Sequence, residues 1–228
     1  MKPEPFTRRT LLGGGASTLA LWLAGCATPP TPTRARAPDT ATKVPPDVAA
    51  LYGATEDAGY HVRASRMELV PSRFWRQDVA DPTGEPAGTV VVDTANRFLY
   101  HVHGSGHATR YGVGIGAAGF DWSGRAHIAY KREWPRWTPP SDMIARQPEL
   151  ERYRYGMDPG PENPLGPRAL YIHKGNVDTL YRIHGNADER TIGQAVSSGC
   201  VRMLPQDIIH LHASVRPGAP LLVTALAT

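Results

Sequence analysis

The sequence predicts a mostly β fold: a sandwich or barrel-like domain with one or two short helices and a long loop region in its middle. Glycine and proline are both abundant, with 23 and 22 residues among 228, and this mixture favours strands joined by many turns. Hydrophobic residues make up 41% of the chain and charged residues 20%, which excludes a wholly disordered protein. Many short strand-like runs with few helical ones are typical of sandwiches and barrels.

The predicted strands begin near Gly88. GTVVVDTANRFLYHVH contains two strands around a turn at 93–96, and HATRYGVGIG follows as a third. The segment 117–170 is rich in glycine and proline and predicts loops, apart from one short helix with Ser141 as its N-cap. ALYIHK, DTLYRIHG and APLLVTAL predict further strands, and the apolar spacing in LPQDIIHLHASV predicts a second helix.

Residues 1–25 predict an export signal. Arg8 and Arg9 precede an apolar stretch from Leu11 to Ala24, which is too short and too rich in glycine to span a bilayer comfortably. The twin arginine resembles a Tat signal, and Leu23-Ala24-Gly25-Cys26 resembles a bacterial lipobox. In lipoproteins of that type the cysteine, here Cys26, is lipidated. A plain secretory signal with an incidental cysteine is the alternative.

A lipid on Cys26 would attach the protein to a membrane leaflet without a transmembrane helix. Position 27 is alanine rather than aspartate. By resemblance to lipoprotein sorting in bacteria with two membranes, this indicates the periplasmic face of the outer membrane. Residues 26–50 are dominated by Pro, Ala and Thr and predict an extended tether. Residues 51–87 carry large apolar side chains and predict an extension that packs on the edge of a domain at 88–228.

The charge of the chain gives no reason to expect a nucleic-acid partner. The formal net charge is 25 − 21 = +4, and Lys2, Arg8 and Arg9 against Glu4 place +2 of this in the export signal. No basic run has interleaved aromatic residues. We expect no nucleic-acid binding and no cofactor.

Cys200 is the first candidate for chemistry. If Cys26 is lipidated, Cys200 has no cysteine with which to form an intramolecular disulfide. Such a thiol is either a small buried hydrophobic group or a reactive centre. The small residues Ser197, Ser198 and Gly199 precede it, and small side chains let backbone N–H groups approach a bound carbonyl, as an oxyanion hole requires.

Two basic residues lie near this cysteine in the sequence. Arg202 can help to hold a thiolate or a carboxylate substrate. His184 stands at the end of the strand-like run TLYRI. A free thiol with a pKa of about 8.5 is only a few per cent ionised at neutral pH, so a paired histidine would raise that fraction and later return the proton to a leaving amine. The spacing alone leaves a structural role for Cys200 open.

The stretch from about Gly88 to Val223 resembles the catalytic domain of the L,D-transpeptidases, the YkuD-type cysteine enzymes of bacterial peptidoglycan. The blocks that carry the resemblance include GTVVVDTANRFLY, NPLGPRALYIH and YRIHGNADERTIGQAVSSGCVRM. The last block is similar to the family's His-Gly…Ser-x-Gly-Cys pattern in residue type, order and approximate spacing. KREWPRWTPP is similar to a block of the proteobacterial periplasmic members.

This resemblance implies a mostly β domain with the nucleophile on a loop beside one sheet. Cys200 would attack the carbonyl of the third residue of a peptidoglycan stem peptide and release the terminal D-Ala. An amine would then attack the thioester, giving a 3→3 cross-link or attachment to a lysine of an envelope lipoprotein. His184 corresponds to the base, and Gly185 to the residue whose carbonyl orients it. Arg202 corresponds to a site residue after the nucleophile, and His173 to a residue of the substrate cleft.

Some positions depart from the family pattern. Ser198 stands where many members have histidine, so no second imidazole lies two residues before the nucleophile. Asn186 replaces a common threonine, and Pro205 stands where an asparagine-type helix cap is usual. Two other functions stay open: a hydrolase on the same scaffold, with water as acceptor, and a non-catalytic tether to the cell wall. The intact Cys200 and His184 argue against the tether.

The other histidines predict less. His101, His103 and His107 lie in YHVHGSGH, and the first two would share one face of a strand, a spacing that a metal site can use. No carboxylate or cysteine completes a ligand set, so we expect a solvated hairpin and no metal. His210 and His212 are expected at the surface of the last helix.

Overall fold

The computed structural model describes residues 43–116, 123–185, 188–196 and 200–224, which belong to one compact unit, Asp39–Thr228. The predicted export signal, Cys26 and the first part of the predicted tether lie outside the described residues, as do Ser197, Ser198 and Gly199. In the described ranges, no helix has the length and apolar character needed to cross a membrane.

The fold is mostly β, as predicted, and centres on one sheet. Within the described residues this sheet has 11 strands in the order β11-β7-β12-β10-β9-β8-β13-β4-β5-β6-β3, and β1 and β2 form a separate pair. The strands are β1 (Thr55–Asp57), β2 (Tyr60–Val62), β3 (Gln77–Ala80), β4 (Val90–Asp93), β5 (Phe98–Val102), β6 (His107–Gly112), β7 (Gly114–Gly116), β8 (Gly124–Glu133), β9 (Arg168–Lys174), β10 (Val177–His184), β11 (Ala195–Val196), β12 (Val201–Arg202) and β13 (Pro220–Val223).

Helices are few and short. They are α1 (Pro46–Leu51), α2 (Ser141–Arg146) and α3 (Pro205–Ser214), with single 3-10 turns at Met67–Leu69, Ser72–Phe74, Pro148–Tyr153 and Glu189–Thr191. Helix α3 begins at Pro205, whose fixed φ suits the first helical position. At its other end, Lys131 Nζ donates to the carbonyls of His212 and Val215 at 2.5 and 2.7 Å. A cation there satisfies terminal carbonyls and complements the helix dipole.

The main core lies between α3 and one face of the central strands. Leu170, Ile172, Ile183 and Val201 of the sheet pack in one buried cluster with Ile208 of the helix. Complete burial of each such side chain stabilises the fold by about 1.5–3 kcal/mol. The core thus decides which face of these strands points inward and leaves their other face for chemistry.

The structure corrects the prediction for 117–170. This segment was expected to be loops, but β8 extends over 10 residues within it. Only Ile128 in this strand is fully buried, so the sequence GRAHIAYKRE lacks a clear apolar alternation; pairing with β9 and β13 holds the strand instead. Ser141 is the first residue of α2 rather than its cap, because Pro140 occupies the N-cap position with an extended backbone.

The end of the predicted tether is also different from the expectation. Residues 46–51 form α1, since Pro46 opens the helix, and Val44 and Val48 pack against a second core. This core joins the N-terminal segment to the C-terminal half of the domain. Its buried members are Tyr52, Met67, Val70, Phe74, Trp75, Ile192 and Leu204.

A buried polar network anchors the same N-terminal segment to the start of α3. Tyr52 Oη donates to Asp207 Oδ2 at 3.1 Å and accepts from the Arg76 backbone N–H at 2.8 Å. Burial raises the pKa of Asp207 to about 7, against the charge of Arg76 and the Tyr52 hydrogen bond. Gln206 accepts from Ser65 Oγ at 2.7 Å and donates to the Arg63 carbonyl at 2.9 Å. Residues 44–80 therefore contribute both apolar and polar partners that the domain needs.

We predict that a chain beginning at residue 88 does not fold cooperatively, whereas one beginning at residue 43 does. The shorter chain exposes Leu204 and Ile192, at about 1.5–3 kcal/mol each, and leaves the buried Asp207 without Tyr52 and Arg76. These losses approach the whole stability of a typical domain, about 5–15 kcal/mol. Thermal unfolding followed by circular dichroism would measure this. Equal melting temperatures for the two chains would contradict it.

Candidate active site

The parallel pairing of β10 with β12 brings the candidate residues together. Ile183 lies opposite Val201 and His184 lies opposite Arg202. Ile183 and Val201 are fully buried in the main core. Because side chains alternate between the two faces of a strand, His184 and Arg202 project from the face that is turned away from α3.

Cys200 immediately precedes β12, so the same register places it beside Arg182 and on the face of His184. Cys200 and His184 are one strand apart and displaced by two residues along the strands. This geometry corresponds to about 8 Å between their Cα atoms, a gap that a thiol and an imidazole side chain can bridge. The predicted Cys/His pair is thus placed on one surface.

His184 is a buried base with one nitrogen available. Its side chain is only 6% exposed, and Nδ1 has no hydrogen-bond partner among the described residues. Burial and then the charge of Arg202 lower the pKa of His184 to about 4, although a hydrogen bond from the ring to the Pro164 carbonyl favours the protonated form. The ring is therefore neutral at neutral pH, with Nε2–H donated to Pro164 and Nδ1 able to accept a proton.

Cys200 is a half-buried free thiol. Burial raises the pKa of this thiol, while a hydrogen bond with the Arg182 backbone and the charges of Arg182 and Arg202 act in the opposite direction. At neutral pH the pair consequently rests as a thiol beside a neutral imidazole. Such a pair requires the histidine to remove the proton during attack, as a general base does.

Gly185 serves close packing at this site. A Cβ on Gly185 would lie 2.0 Å from Ile208 Cγ2, so glycine lets α3 approach the end of β10. The Gly185 backbone N–H donates to the Leu165 carbonyl at 3.1 Å. The resemblance implied that the carbonyl of Gly185 orients His184, whereas the ring bonds the carbonyl of Pro164. The loop before β9, rather than the residue after the histidine, supplies the orienting group.

A row of stacked side chains leads away from Cys200 across β10, β9 and β8. Arg182 lies 4.4 Å over the Tyr171 ring, and Tyr171 stacks on Tyr130 with ring centroids 4.3 Å apart. Asp178 holds Arg182 through hydrogen bonds of 2.7 and 2.8 Å. The sequence analysis missed this row, although tyrosines at alternating positions of adjacent strands were the signal that it needed.

His173 lies on β9 beyond this row. Its ring is 5.8 Å from that of Tyr130 and 6.2 Å from that of His127, measured between centroids. Nε2 of His173 is buried without a hydrogen-bond partner in the described part of the chain. Its role in the substrate cleft stays a prediction, and its distance along the sheet separates it from Cys200 itself.

The segment before the nucleophile is fixed from outside the site. Glu189 is fully buried; burial opposes its ionisation, but hydrogen bonds from Arg63 and from the Arg66 backbone N–H outweigh this and lower its pKa to about 2. A Cβ on Gly193 would lie 2.2 Å from the Phe74 ring, so glycine permits this contact. The N-terminal segment thereby holds residues 188–196. The predicted oxyanion residues Ser197, Ser198 and Gly199 lie outside the described residues.

The histidine-rich hairpin is not fully solvated. His101 is 6% exposed, and burial lowers its pKa to about 4. The prediction failed here because a histidine in the middle of β5 faces the inside of the sheet. His103 Nε2 lies 2.8 Å from Thr109 Oγ1, and His210, exposed as expected, lies 2.8 Å from Tyr111 Oη. In the described ranges, no group of three or more His, Cys, Asp or Glu side chains is placed to hold a metal.

Comparison with known proteins identifies the family. The family model of the L,D-transpeptidase catalytic domain, YkuD, matches residues 87–223. A Fuscovulum blasticum protein named as an L,D-transpeptidase is 34% identical over 139 residues, which cover 60% of this chain and 68% of that protein. The Escherichia coli protein named L,D-transpeptidase YbiS is 34% identical over 142 residues, covering 58% of this chain and 42% of its own.

Solved structures show weaker likeness in shape. A Brucella melitensis crystal structure titled as a carnitine operon oxidoreductase is 43% identical, covers 72% of this chain and 98% of its own, and has a TM-score of 0.48. That score is too low to carry its title to this chain. An L,D-transpeptidase from Mycobacterium smegmatis has 19% identity and a TM-score of 0.44, with 60% of this chain and 58% of its own covered.

The chain spans about two thirds of the Fuscovulum protein and less than half of YbiS. The match nevertheless contains every described strand of the sheet from β4 to β13, together with His184, Cys200 and Arg202. The chain belongs to the YkuD family of L,D-transpeptidases.

Proposed function

We propose that this protein is a peptidoglycan L,D-transpeptidase with Cys200 as nucleophile. The observation that carries this proposal is the placement of Cys200 on the same sheet face as His184, a buried neutral histidine whose Nδ1 has no partner among the described residues. Donor substrates would be tetrapeptide stems, in which the bond before the terminal D-Ala joins an L to a D centre. The family assignment supports stem peptides as substrates.

The first half of the reaction makes a thioester. His184 Nδ1 removes the thiol proton as the sulfur of Cys200 attacks the carbonyl carbon, and the electron pair of the carbonyl moves to its oxygen. When the tetrahedral intermediate collapses, the imidazolium gives that proton to the nitrogen of D-Ala, which leaves as a free amino acid. Because the pKa of His184 is lowered to about 4, its protonated form is a strong acid toward the leaving amine.

The second half transfers the acyl group. An acceptor amine loses a proton to His184 and attacks the thioester carbonyl, and the sulfur leaves and regains a proton from the imidazolium. The acceptor would be a second stem peptide, giving a 3→3 cross-link, or a lysine of an envelope lipoprotein. We assign stabilisation of the oxyanion to backbone N–H groups of the segment 197–200, and attraction of a substrate carboxylate to Arg202.

The location of this activity follows from the predicted signal. Export by the Tat-like signal and lipidation at Cys26 would place the domain in the periplasm, bound to the inner face of the outer membrane. A tether of residues 26–42 would then connect the anchor to α1. We include this location in the proposal.

We predict that the purified protein converts tetrapeptide muropeptide into a cross-linked dimer with release of D-Ala, and that Cys200→Ser abolishes the conversion. A hydroxyl is far less ionised than a thiol beside the same histidine. Mass spectrometry of the products would identify the acceptor. Tripeptide without dimer would show a hydrolase, and unchanged muropeptide would show a non-catalytic tether. Full turnover by Cys200→Ser would overturn the nucleophile assignment.

We predict that His184→Ala lowers acylation of Cys200 by a carbapenem by about 10²–10⁴-fold at pH 7, the usual contribution of a positioned base. A carbapenem offers a strained lactam carbonyl, and intact mass would report one adduct. His107→Ala is the matched control, because His107 is exposed on the β5–β6 hairpin and should acylate at the wild-type rate. Equal rates for both variants would exclude His184 as the base.

We predict that alkylation of Cys200 by iodoacetamide rises steadily with pH and has its midpoint above the free-thiol value of about 8.5. Burial raises the thiol pKa and lowers the histidine pKa to about 4, so a thiolate–imidazolium pair is not the resting state. The rate would be measured from pH 5 to 10 on the chain with Cys26→Ala, which leaves a single cysteine. A plateau between pH 5 and 7 would show the ion pair instead.

A further inference from the structure

We propose that Asn163 is the positioning residue for the catalytic histidine: its buried amide fixes the turn that presents the Pro164 carbonyl to His184. This holds the ring in the tautomer whose Nδ1 can accept the proton of Cys200. The inference rests on the proposed function of His184 and concerns a residue that contacts neither Cys200 nor the leaving group in our mechanism.

The amide of Asn163 ties three parts of the loop together. The residue is fully buried. Nδ2 donates to the carbonyls of Pro135 and Asp158, each at 3.1 Å, and Oδ1 accepts from the Leu165 backbone N–H at 2.9 Å. One side chain thus joins the chain leaving β8 to the chain entering β9.

The turn so formed is held at its other end as well. The Asn163 carbonyl accepts from Gly166 N–H at 2.9 Å, which closes the turn around Pro164 and Leu165. The Leu165 carbonyl then accepts from the backbone N–H of Gly185 at 3.1 Å. The backbone beside His184 is therefore bonded to the same turn whose Pro164 carbonyl receives the ring hydrogen bond.

Asparagine suits this position for a chemical reason. Its amide supplies two donors and an acceptor from one planar group, and the turn needs both kinds of partner at once. Aspartate would keep the acceptor for Leu165 but direct a carboxylate oxygen at the Pro135 and Asp158 carbonyls. Alanine would leave those buried carbonyls and the Leu165 N–H unpaired, at a cost of about 1–3 kcal/mol for each group.

A fixed carbonyl matters because neutral imidazole exchanges its proton between the two nitrogens. A carbonyl at Nε2 holds the proton there and leaves the Nδ1 lone pair for the thiol. If Pro164 moves away, a fraction of the molecules carries the proton on Nδ1 and cannot accept another. In a serine protease, loss of the group that selects the histidine tautomer lowers turnover by about 10⁴-fold.

The test compares Asn163→Asp and Asn163→Ala with Asn96→Asp, a matched control on the exposed β4–β5 turn. The full chain carries Cys26→Ala. ¹⁵N NMR of the histidine rings reports the tautomer of His184, and iodoacetamide alkylation reports Cys200 from pH 5 to 10. In both Asn163 variants we expect Nδ1–H signal to appear and alkylation at pH 7 to fall at least about tenfold, with the control unchanged.

A purely structural role would lower the melting temperature without changing the tautomer or the pH profile of the folded protein, and that result would overturn the inference. Where the variants do not fold, the wild type decides: NMR must show Nε2–H on His184 and a scalar coupling across the hydrogen bond to the Pro164 carbonyl. Absence of that coupling would overturn the inference. These readouts need no muropeptide, so a failure of the transpeptidase assay with these results intact would overturn only the proposed function.

Discussion

The site depends on one short piece of sheet, the parallel pairing of β10 and β12. Burial of Ile183 and Val201 against α3 sets which face of each strand points inward. Because side chains alternate, the same burial forces His184 and Cys200 onto the outer face. A slip of one residue would turn both reactive side chains into the core. The hydrophobic effect at two aliphatic residues is thus what aligns a nucleophile with its base.

Burial also determines the protonation state of the pair. It favours the uncharged form of each group, raising the pKa of the Cys200 thiol and lowering that of His184 to about 4. Arg202 acts differently on the two: its positive charge favours the thiolate and disfavours the imidazolium. A site of this kind keeps its proton on sulfur until a carbonyl arrives, which protects an exported thiol from reaction with unrelated electrophiles.

The catalytic domain includes more chain than the family match. Residues 44–80 precede that match, yet they supply the second core, the partners of Asp207 and the arginine contacts of Glu189. Glu189 and Ile192 belong to the segment that leads to the nucleophile, so the N-terminal segment stiffens the approach to Cys200. Conversely, the 134–167 loop holds the histidine from the other side through Asn163 and Pro164. Two peripheral segments thus support one reactive pair.

The sequence by itself determined the mostly β class, the helix over 205–214, and the pairing of Cys200 with His184 as the residues of interest, because turn residues, apolar spacing and the His-Gly…Ser-x-Gly-Cys block are local patterns. Only the tertiary structure decided that β8 is a strand, that residues 46–51 are a helix, and that Pro164 rather than Gly185 orients the histidine. GRAHIAYKRE carries little apolar alternation, and its partners β9 and β13 are distant in sequence. Hydrogen bonds such as those of Asn163, and the burial of His101, depend on which distant segments meet, and no local pattern encodes that.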